Sequence, residues 1–173
     1  ILEQLKDDPS ETVRRSVANS LNDVSKENPE VFLEMARRWL GQEEKTDALI
    51  KHAARTLLKK GHPEALALFG LDAEGVRVKQ FRLARKEMAI GEELSFSVTV
   101  EAAAPARTRI EYAVYYLKKN GSQTRKVFRI AETRIEGCRT YTPRRSFRDL
   151  STRKHYPGPH YVAVVVNGRE GTK

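Results

Sequence analysis

Cysteine, tryptophan and long apolar runs are nearly absent from this 173-residue chain, which has one cysteine (Cys138) and one tryptophan (Trp39). A single thiol excludes an internal disulfide, so packing alone must hold the fold, and such usage fits a reducing cytoplasm. The thiol and the four histidines show no metal-ligand spacing; no metal or other cofactor is expected. No apolar run approaches membrane-spanning length and no signal peptide is visible, so no membrane role is expected. Acid is scarce in one half only. Residues 1–72 hold 11 Lys/Arg and 13 Asp/Glu, a net of −2, whereas residues 73–173 hold 21 and 10, a net of +11. A surplus of that kind favours a polyanionic partner and says little about fold. The chain opens at Ile1 in what reads as the end of a helix (Ile1, Leu2, Leu5). It is expected to be a piece of a longer protein, cut on its N-terminal side.

What is present first is helical periodicity. Asp8-Pro9-Ser10-Glu11 carries an N-cap, a first-position proline and a capping-box acid. Val13, Val17, Leu21 and Val24 follow on one face. Asn28-Pro29 opens a second helix with Phe32, Leu33, Ala36, Trp39 and Leu40, closed by Gly41. A third is predicted from Thr46 or Asp47 to Gly61, burying Leu49, Ile50, Ala53, Leu57 and Leu58, and a short fourth from Pro63 to Phe69. The helix–turn–helix period of roughly 35–40 residues is that of HEAT-type repeats. Residues 70–75 read as a turn-rich link between a helical domain, 1–70, and a second domain, 76–173.

Beyond the link the period becomes two. Strands are predicted around 76–83, 94–100, 110–116, 127–130, 141–147 and 161–166, with Asn120-Gly121 as a hairpin turn. Six or seven short strands in about 95 residues suggest an immunoglobulin-like sandwich, without the Cys…Trp…Cys signature of antibody domains. The expected fold class is therefore α+β and multidomain: helical repeats, then an immunoglobulin-like β-sandwich. The sheet is expected to point Arg77, Lys79, Arg82, Arg107, Arg109, Arg125, Lys126 and Arg129 outward.

Three groups of side chains suit a polyanion. On the first full helix Arg15, Asn19, Asn22 and Lys26 share a stripe; on the third, Lys51, Arg55 and Lys59 do, flanked by His52. Like charges at i, i+4 repel by a few tenths of a kcal/mol, which phosphate contact would offset. The segment Arg144–His160 holds Arg144, Arg145, Arg148, Arg153 and Lys154 against the single acid Asp149. Its Ser151 and Thr152 hydroxyls add phosphate donors. His155, Tyr156 and Phe147 are of the type that stacks on bases or wedges into a groove. Each group has an ordinary alternative: solvated helix faces, and aromatics that belong to the core.

Beyond these patterns, "VRRSVANSLNDVSKENPE" (13–30) with "KHAARTLLKKGHPEALALFG" (51–70) resembles the DNA alkylation repair family of HEAT-like-repeat DNA glycosylases. "SFRDLSTRKHYPGPHYVAVVVNG" (146–168) resembles the C-terminal immunoglobulin-like domain of that family's AlkC type. The resemblance implies a curved helical solenoid with a basic face for duplex DNA, and excision of N-alkylated bases such as 3-methyladenine. Such a base is cationic and already a good leaving group, so a fixed carboxylate that stabilises the oxocarbenium-like sugar suffices, without a metal. Asp23, on the helix of Arg15, Asn19 and Asn22, is by resemblance the candidate carboxylate; an ordinary surface ion pair is its alternative. Trp39 resembles a lesion-contacting aromatic by residue type alone, and core packing is its alternative. The family's main catalytic acids are expected in repeats preceding Ile1.

The first reading is thus a DNA-repair glycosylase portion that holds duplex DNA, monomeric, cytoplasmic and associated with a bacterial nucleoid. The second is a protein-interaction module built from HEAT-like and immunoglobulin-like parts, without glycosylase activity. A third is a catalytically inert DNA binder of the same family. The charge split favours DNA, because a peptide-binding solenoid has no need of a companion domain at +11.

Overall fold

Asn28 and Pro29 open a helix in the computed structural model as their order predicts, with Asn28 at the N-cap and Pro29 in the first turn. The structure describes residues 1–71, 74–151 and 154–171. The chain divides into two units, Ile1–Asp72 and Ala73–Lys173. Residues 72 and 73, inside the predicted link, lie outside the described residues.

Among the described residues the first unit has six helices: α1 (Leu2–Leu5), α2 (Glu11–Glu27), α3 (Pro29–Trp39), α4 (Glu44–Ala53), α5 (Arg55–Lys60) and α6 (Pro63–Leu68). Two boundaries differ from the sequence reading. Ser10, not Asp8, is the N-cap of α2; Asp8 instead accepts the Ser10 N–H at 2.8 Å and shapes the preceding turn. The third predicted helix starts earlier, at Glu44, and is interrupted at Ala54, where ψ is −4°. Its ladder continues across the interruption: Ala54 donates to the Ile50 carbonyl and Leu58 to that of Ala54, both at 2.9 Å. Gly61 ends α5 at φ +73°, a left-handed position that a side chain would strain. Phe32, Leu33, Ile50 and Leu58 are fully buried, each contributing about 1.5–3 kcal/mol of transfer free energy. Trp39 is buried at 4% exposure with this core, which is the packing alternative for that residue.

Among the described residues the second unit is one antiparallel sheet organised by a long strand. Its elements are β1 (Val76–Leu83), β2 (Glu93–Leu117), β3 (Gln123–Tyr141), β4 (Arg144–Ser146), β5 (Tyr161–Val166) and β6 (Arg169–Glu170). β2 pairs with β1, β3, β4 and β5, and β6 extends β5. The expected set of short strands is corrected here. The 94–100 and 110–116 segments are two parts of β2, and 127–130 lies within β3. The predicted 141–147 strand splits into the end of β3 and the three-residue β4. β2 changes register between Ala102 and Ala106 and again between Ile110 and Glu111, and such irregularities bend and twist a strand. The sheet therefore curls around two apolar clusters. Val98, Val100, Ile110 and Val164 belong to one; Phe96, Tyr112, Val114 and Phe147 belong to the other. Rings run in series through the second: Phe81–Phe96 at 5.5 Å, Phe96–Tyr112 at 5.1 Å and Tyr112–Phe128 at 5.2 Å.

Lys118 N–H meets the Ser122 carbonyl at 2.8 Å across the Asn120-Gly121 turn, closing the β2–β3 hairpin where the sequence places it. Arg109 does not point into solvent as expected. Its side chain is 6% exposed and its guanidinium bonds Glu111 at 2.7 Å and Glu132 at 3.2 Å, with Glu111 fully buried. Burial of this ion pair is tolerable because each charge faces its opposite.

Candidate nucleic-acid interface

In the helical unit the periodicity of α2 puts Arg15 and Asn19 one turn apart, and both are exposed. Arg55, at the start of α5, reaches back to α2 and donates to Asn19 Oδ1 at 3.1 Å while capping the His52 carbonyl at 2.9 Å. Arg15 and His52 line one side of a hollow of about 300 Å³ with Arg14, Lys45 and Leu49. His52 is held below its ordinary pKa by burial first, then by the positive charges of Arg55 and Arg15. It is therefore poised to gain a proton when an anion arrives. Asp23 completes the group. Its carboxylate bonds Lys26 at 2.7 Å, and that bond, followed by the fields of Lys26 and Arg55, lowers its pKa. The ion-pair alternative for Asp23 is thus realised in this structure, and the carboxylate remains 71% exposed. Lys59 is exposed one turn further along α5, and Lys51 is half-buried.

Asn22 leaves the stripe. It is 1% exposed, and its amide meets the Thr56 hydroxyl at 2.8 Å, tying α2 to α5. The helical period puts it beside Asn19, but it falls on the boundary between faces, where α5 covers it.

In the sheet unit the segment after β3 also separates into exposed and structural members. Arg144 is 72% exposed and lies 3.5 Å from Glu93. Arg145 is half-buried: its guanidinium lies 3.8 Å from the Phe128 ring centre and its Nε donates to the Tyr116 hydroxyl at 3.0 Å. Arg148, Ser151 and Lys154 are exposed, and Thr152 and Arg153 lie outside the described residues. His155 is buried among Phe147 and Tyr116, with ring centres 5.2 and 5.5 Å away. Tyr156 is half-buried, and Phe147 is 6% exposed in the core. Arg145 and His155 thus pack inside the unit, because aromatic rings occupy the space beneath the loop.

Ion pairing sorts the remaining cations. Arg77 and Lys79 share Glu101, Arg125 meets Glu170, and Arg85 meets Glu92. Lys126, Arg129, Arg134 and Arg139 along β3 are exposed with no counter-ion within 4.0 Å among the described residues. Lys126 and Arg129 are among the cations expected from the sequence to face outward; Arg134 and Arg139 are not. Counting basic residues within each strand, against the acids of the strand beside it, would have found them. Unpaired cations of this kind keep their full attraction for phosphate. Among the described residues no group of three His, Cys, Asp or Glu side chains is placed to hold a metal ion, and no helix is long and apolar enough to cross a membrane.

Comparison with known proteins gives three findings. Residues 77–173 match the family model of the uncharacterised protein YhaZ, C-terminal Ig-like domain. The chain is 46% identical over 171 residues to the uncharacterized protein YhaZ of Bacillus subtilis (strain 168), covering 97% of this chain and 48% of that protein. Its fold is similar to that of Pseudomonas fluorescens alkylpurine DNA glycosylase AlkC bound to DNA containing an abasic site analog. That match has a TM-score of 0.92 and 36% identity, over 98% of this chain and 48% of the other. The chain thus spans about half the length of the relatives it matches.

Proposed function

The chain belongs to the DNA alkylation repair family of the AlkC type, and from that premise we propose that it grips duplex DNA within a protein that excises N-alkylated bases such as 3-methyladenine. The observation that carries this is the segregation of cations. Acids neutralise Arg77, Lys79, Arg109 and Arg125, while Arg148, Lys154 and the β3 series are exposed with no counter-ion within 4.0 Å among the described residues, Lys154 sharing only the longer-range field of Asp149. A surface selected for solubility alone gains nothing from that sorting. In the helical unit the contacts assigned to DNA are Arg15, Asn19, His52, Arg55 and Lys59, with Lys51 at the margin. In the sheet unit they are Arg144, Arg148, Ser151 and Lys154. Arg145, His155 and Asn22 act as supports for these contacts. HEAT-like packing of the helices fits the same reading.

The proposed role of Asp23 is electrostatic. Approach of DNA would exclude water from its carboxylate, and a carboxylate strengthens its hold on a developing oxocarbenium ion as water leaves. Lys26 then has to release it or share it.

The test is binding of the chain to a fluorescent duplex across a salt series. Each phosphate contact contributes about −0.9 to the slope of log affinity against log salt. Arg148→Glu and Lys154→Glu are each expected to flatten the slope by about one contact, and to weaken binding by roughly threefold at low salt. A wild-type slope near zero would refute the grip, and saturable binding to an acidic protein in its place would favour the interaction-module reading. Slopes unchanged in both variants would remove the 144–156 segment from the interface.

A further inference from the structure

On α2 the helical spacing sets Lys26 one turn beyond two side chains at once, Asn22 at i−4 and Asp23 at i−3. The ammonium meets both. It donates to Asp23 Oδ1 at 2.7 Å, and Asn22 Oδ1 lies 3.2 Å from it. The two acceptors differ in kind. Asp23 is a carboxylate with 71% of its side chain exposed. Asn22 is a neutral amide, 1% exposed, and the fold fixes it.

The fixing groups lie where α4 gives way to α5. The Asn22 amide nitrogen donates to the Ala53 carbonyl at 3.0 Å and to the Thr56 hydroxyl at 2.8 Å. Only this orientation of the amide suits its surroundings. Turned over, it would set its nitrogen against the Lys26 ammonium and its oxygen against the Ala53 carbonyl. Both hydrogens of the buried nitrogen are therefore occupied, and the oxygen is held towards Lys26 whatever Asp23 does. A tie between helices needs the nitrogen alone. The oxygen is aimed at a cation that already has a carboxylate. An ammonium carries three donors, so it gives up one acceptor readily when a second one holds it.

From this geometry we infer that Asn22 is a positioning residue for Asp23: it is a second seat for the Lys26 ammonium, which lets Lys26 yield the carboxylate to a cation arriving with the DNA. The inference rests on the role proposed above for Asp23. With no such cation present, Lys26 bridges both residues and neutralises the carboxylate. When a positively charged sugar comes within reach, Lys26 withdraws to Asn22 Oδ1 and Asp23 turns to the newcomer. Without Asn22 the ammonium has Asp23 alone and holds it.

The experiment measures binding of the whole chain to two duplexes, one carrying a protonated pyrrolidine abasic nucleotide and one a neutral tetrahydrofuran abasic nucleotide. Wild type is expected to prefer the cationic duplex about fivefold, and Asp23→Asn to bind both alike. The preference is a ratio, so a weaker grip on DNA cancels from it. Asn22→Leu is expected to lose most of the preference. Adding Lys26→Met to Asn22→Leu is expected to bring it back, a rescue that a merely structural role of Asn22 would not give. A preference that survives Asn22→Leu, or that the double variant does not regain, overturns the inference and leaves Asp23 in its role. Equal binding of the two duplexes by wild type overturns both. Binding of neither duplex refutes the grip, and the free chain then decides the inference. In Asp23→Ala the ¹⁵Nζ NMR signal of a hydrogen-bonded Lys26 ammonium is expected to persist, and its loss overturns the second seat. The same signal decides if Asn22→Leu fails to fold.

Discussion

Arg109 gives the sharpest energetic test of the sheet unit. It is the bridge between two buried acids, with side-chain exposures of 6% for Arg109, 0% for Glu111 and 8% for Glu132. Arg109→Met keeps most of the aliphatic volume and removes the charge. Glu132 retains Arg107 at 3.5 Å, but Glu111 loses its 2.7 Å partner, and its second carboxylate oxygen already has none. Removing one member of a buried pair in this way costs about 3–5 kcal/mol. With a urea dependence of about 1–3 kcal/mol per molar, the midpoint should fall by roughly 2 M at an unchanged slope. The two units can be followed separately, because all six tyrosines lie between Tyr112 and Tyr161 while the one tryptophan, Trp39, lies among the helices. Tyrosine emission should report the loss and Trp39 emission should not. Arg109→Met combined with Glu111→Leu should recover about 2 kcal/mol or more, because the orphaned charge has gone. A single variant that loses under about 1 kcal/mol, or a double variant no better than the single, would refute the assignment of Arg109 as the neutralising bridge.

Other perturbations test neighbouring parts of the structure. Glu101 is held at a pKa of about 2 by bonds from Lys79, Arg77 and Cys138, below its ordinary 4.5. Its contribution to stability is therefore present above pH 4.5 and lost as the pH falls towards 2. Glu101→Gln should flatten that acid limb in a pH series of thermal melts, and an unchanged limb would count against the cluster. Gly158→Ala should lower the melting temperature of the sheet unit by about 4–8 °C for each 1 kcal/mol of strain at φ +131°, read by circular dichroism. A melt equal to wild type would contradict that backbone. His52 has a depressed pKa in the free chain, so phosphate contact should draw a proton to it and duplex affinity should rise as the pH falls below 7. His52→Gln should remove that rise; a rise that persists would place the proton elsewhere.

The parts of the fold that were legible in sequence are those dictated by local chemistry. Asn28-Pro29, Gly61 and Asn120-Gly121 act through their own backbone preferences, and the structure uses each as expected. The continuity of β2 was not legible. Ala102–Ala106 has no alternation and contains Pro105, so it reads as a break between strands, yet the pairing to β3 resumes beyond it at Ala106. The candidate site was legible as charge and not as geometry. Arg145 and Arg148 look alike in a string of letters; only the ring of Phe128 makes one of them a packing residue. Asn22 and Asn19 share a stripe, and α5 separates them by covering one. Arg109 and Glu111 alternate as exposed ladder charges do, yet both are buried, in a strand whose neighbour β5 pairs Glu111 with Val165, more than 50 residues later.

The strand that organises the sheet also sets the order in which the sheet can form. β2 joins β3 through a five-residue turn, so that hairpin closes with little loop entropy and on a timescale of about microseconds. β5 must then find β2 across the whole length of β3 and the basic segment, a closure of high sequence separation. Until it does, β2 presents an open edge from Ile110 to Tyr115, the stretch that holds Glu111 and directly follows Arg109. The charges that are costly in the finished core are thus, during folding, the groups that keep this edge soluble and make an unplanned strand pairing unattractive.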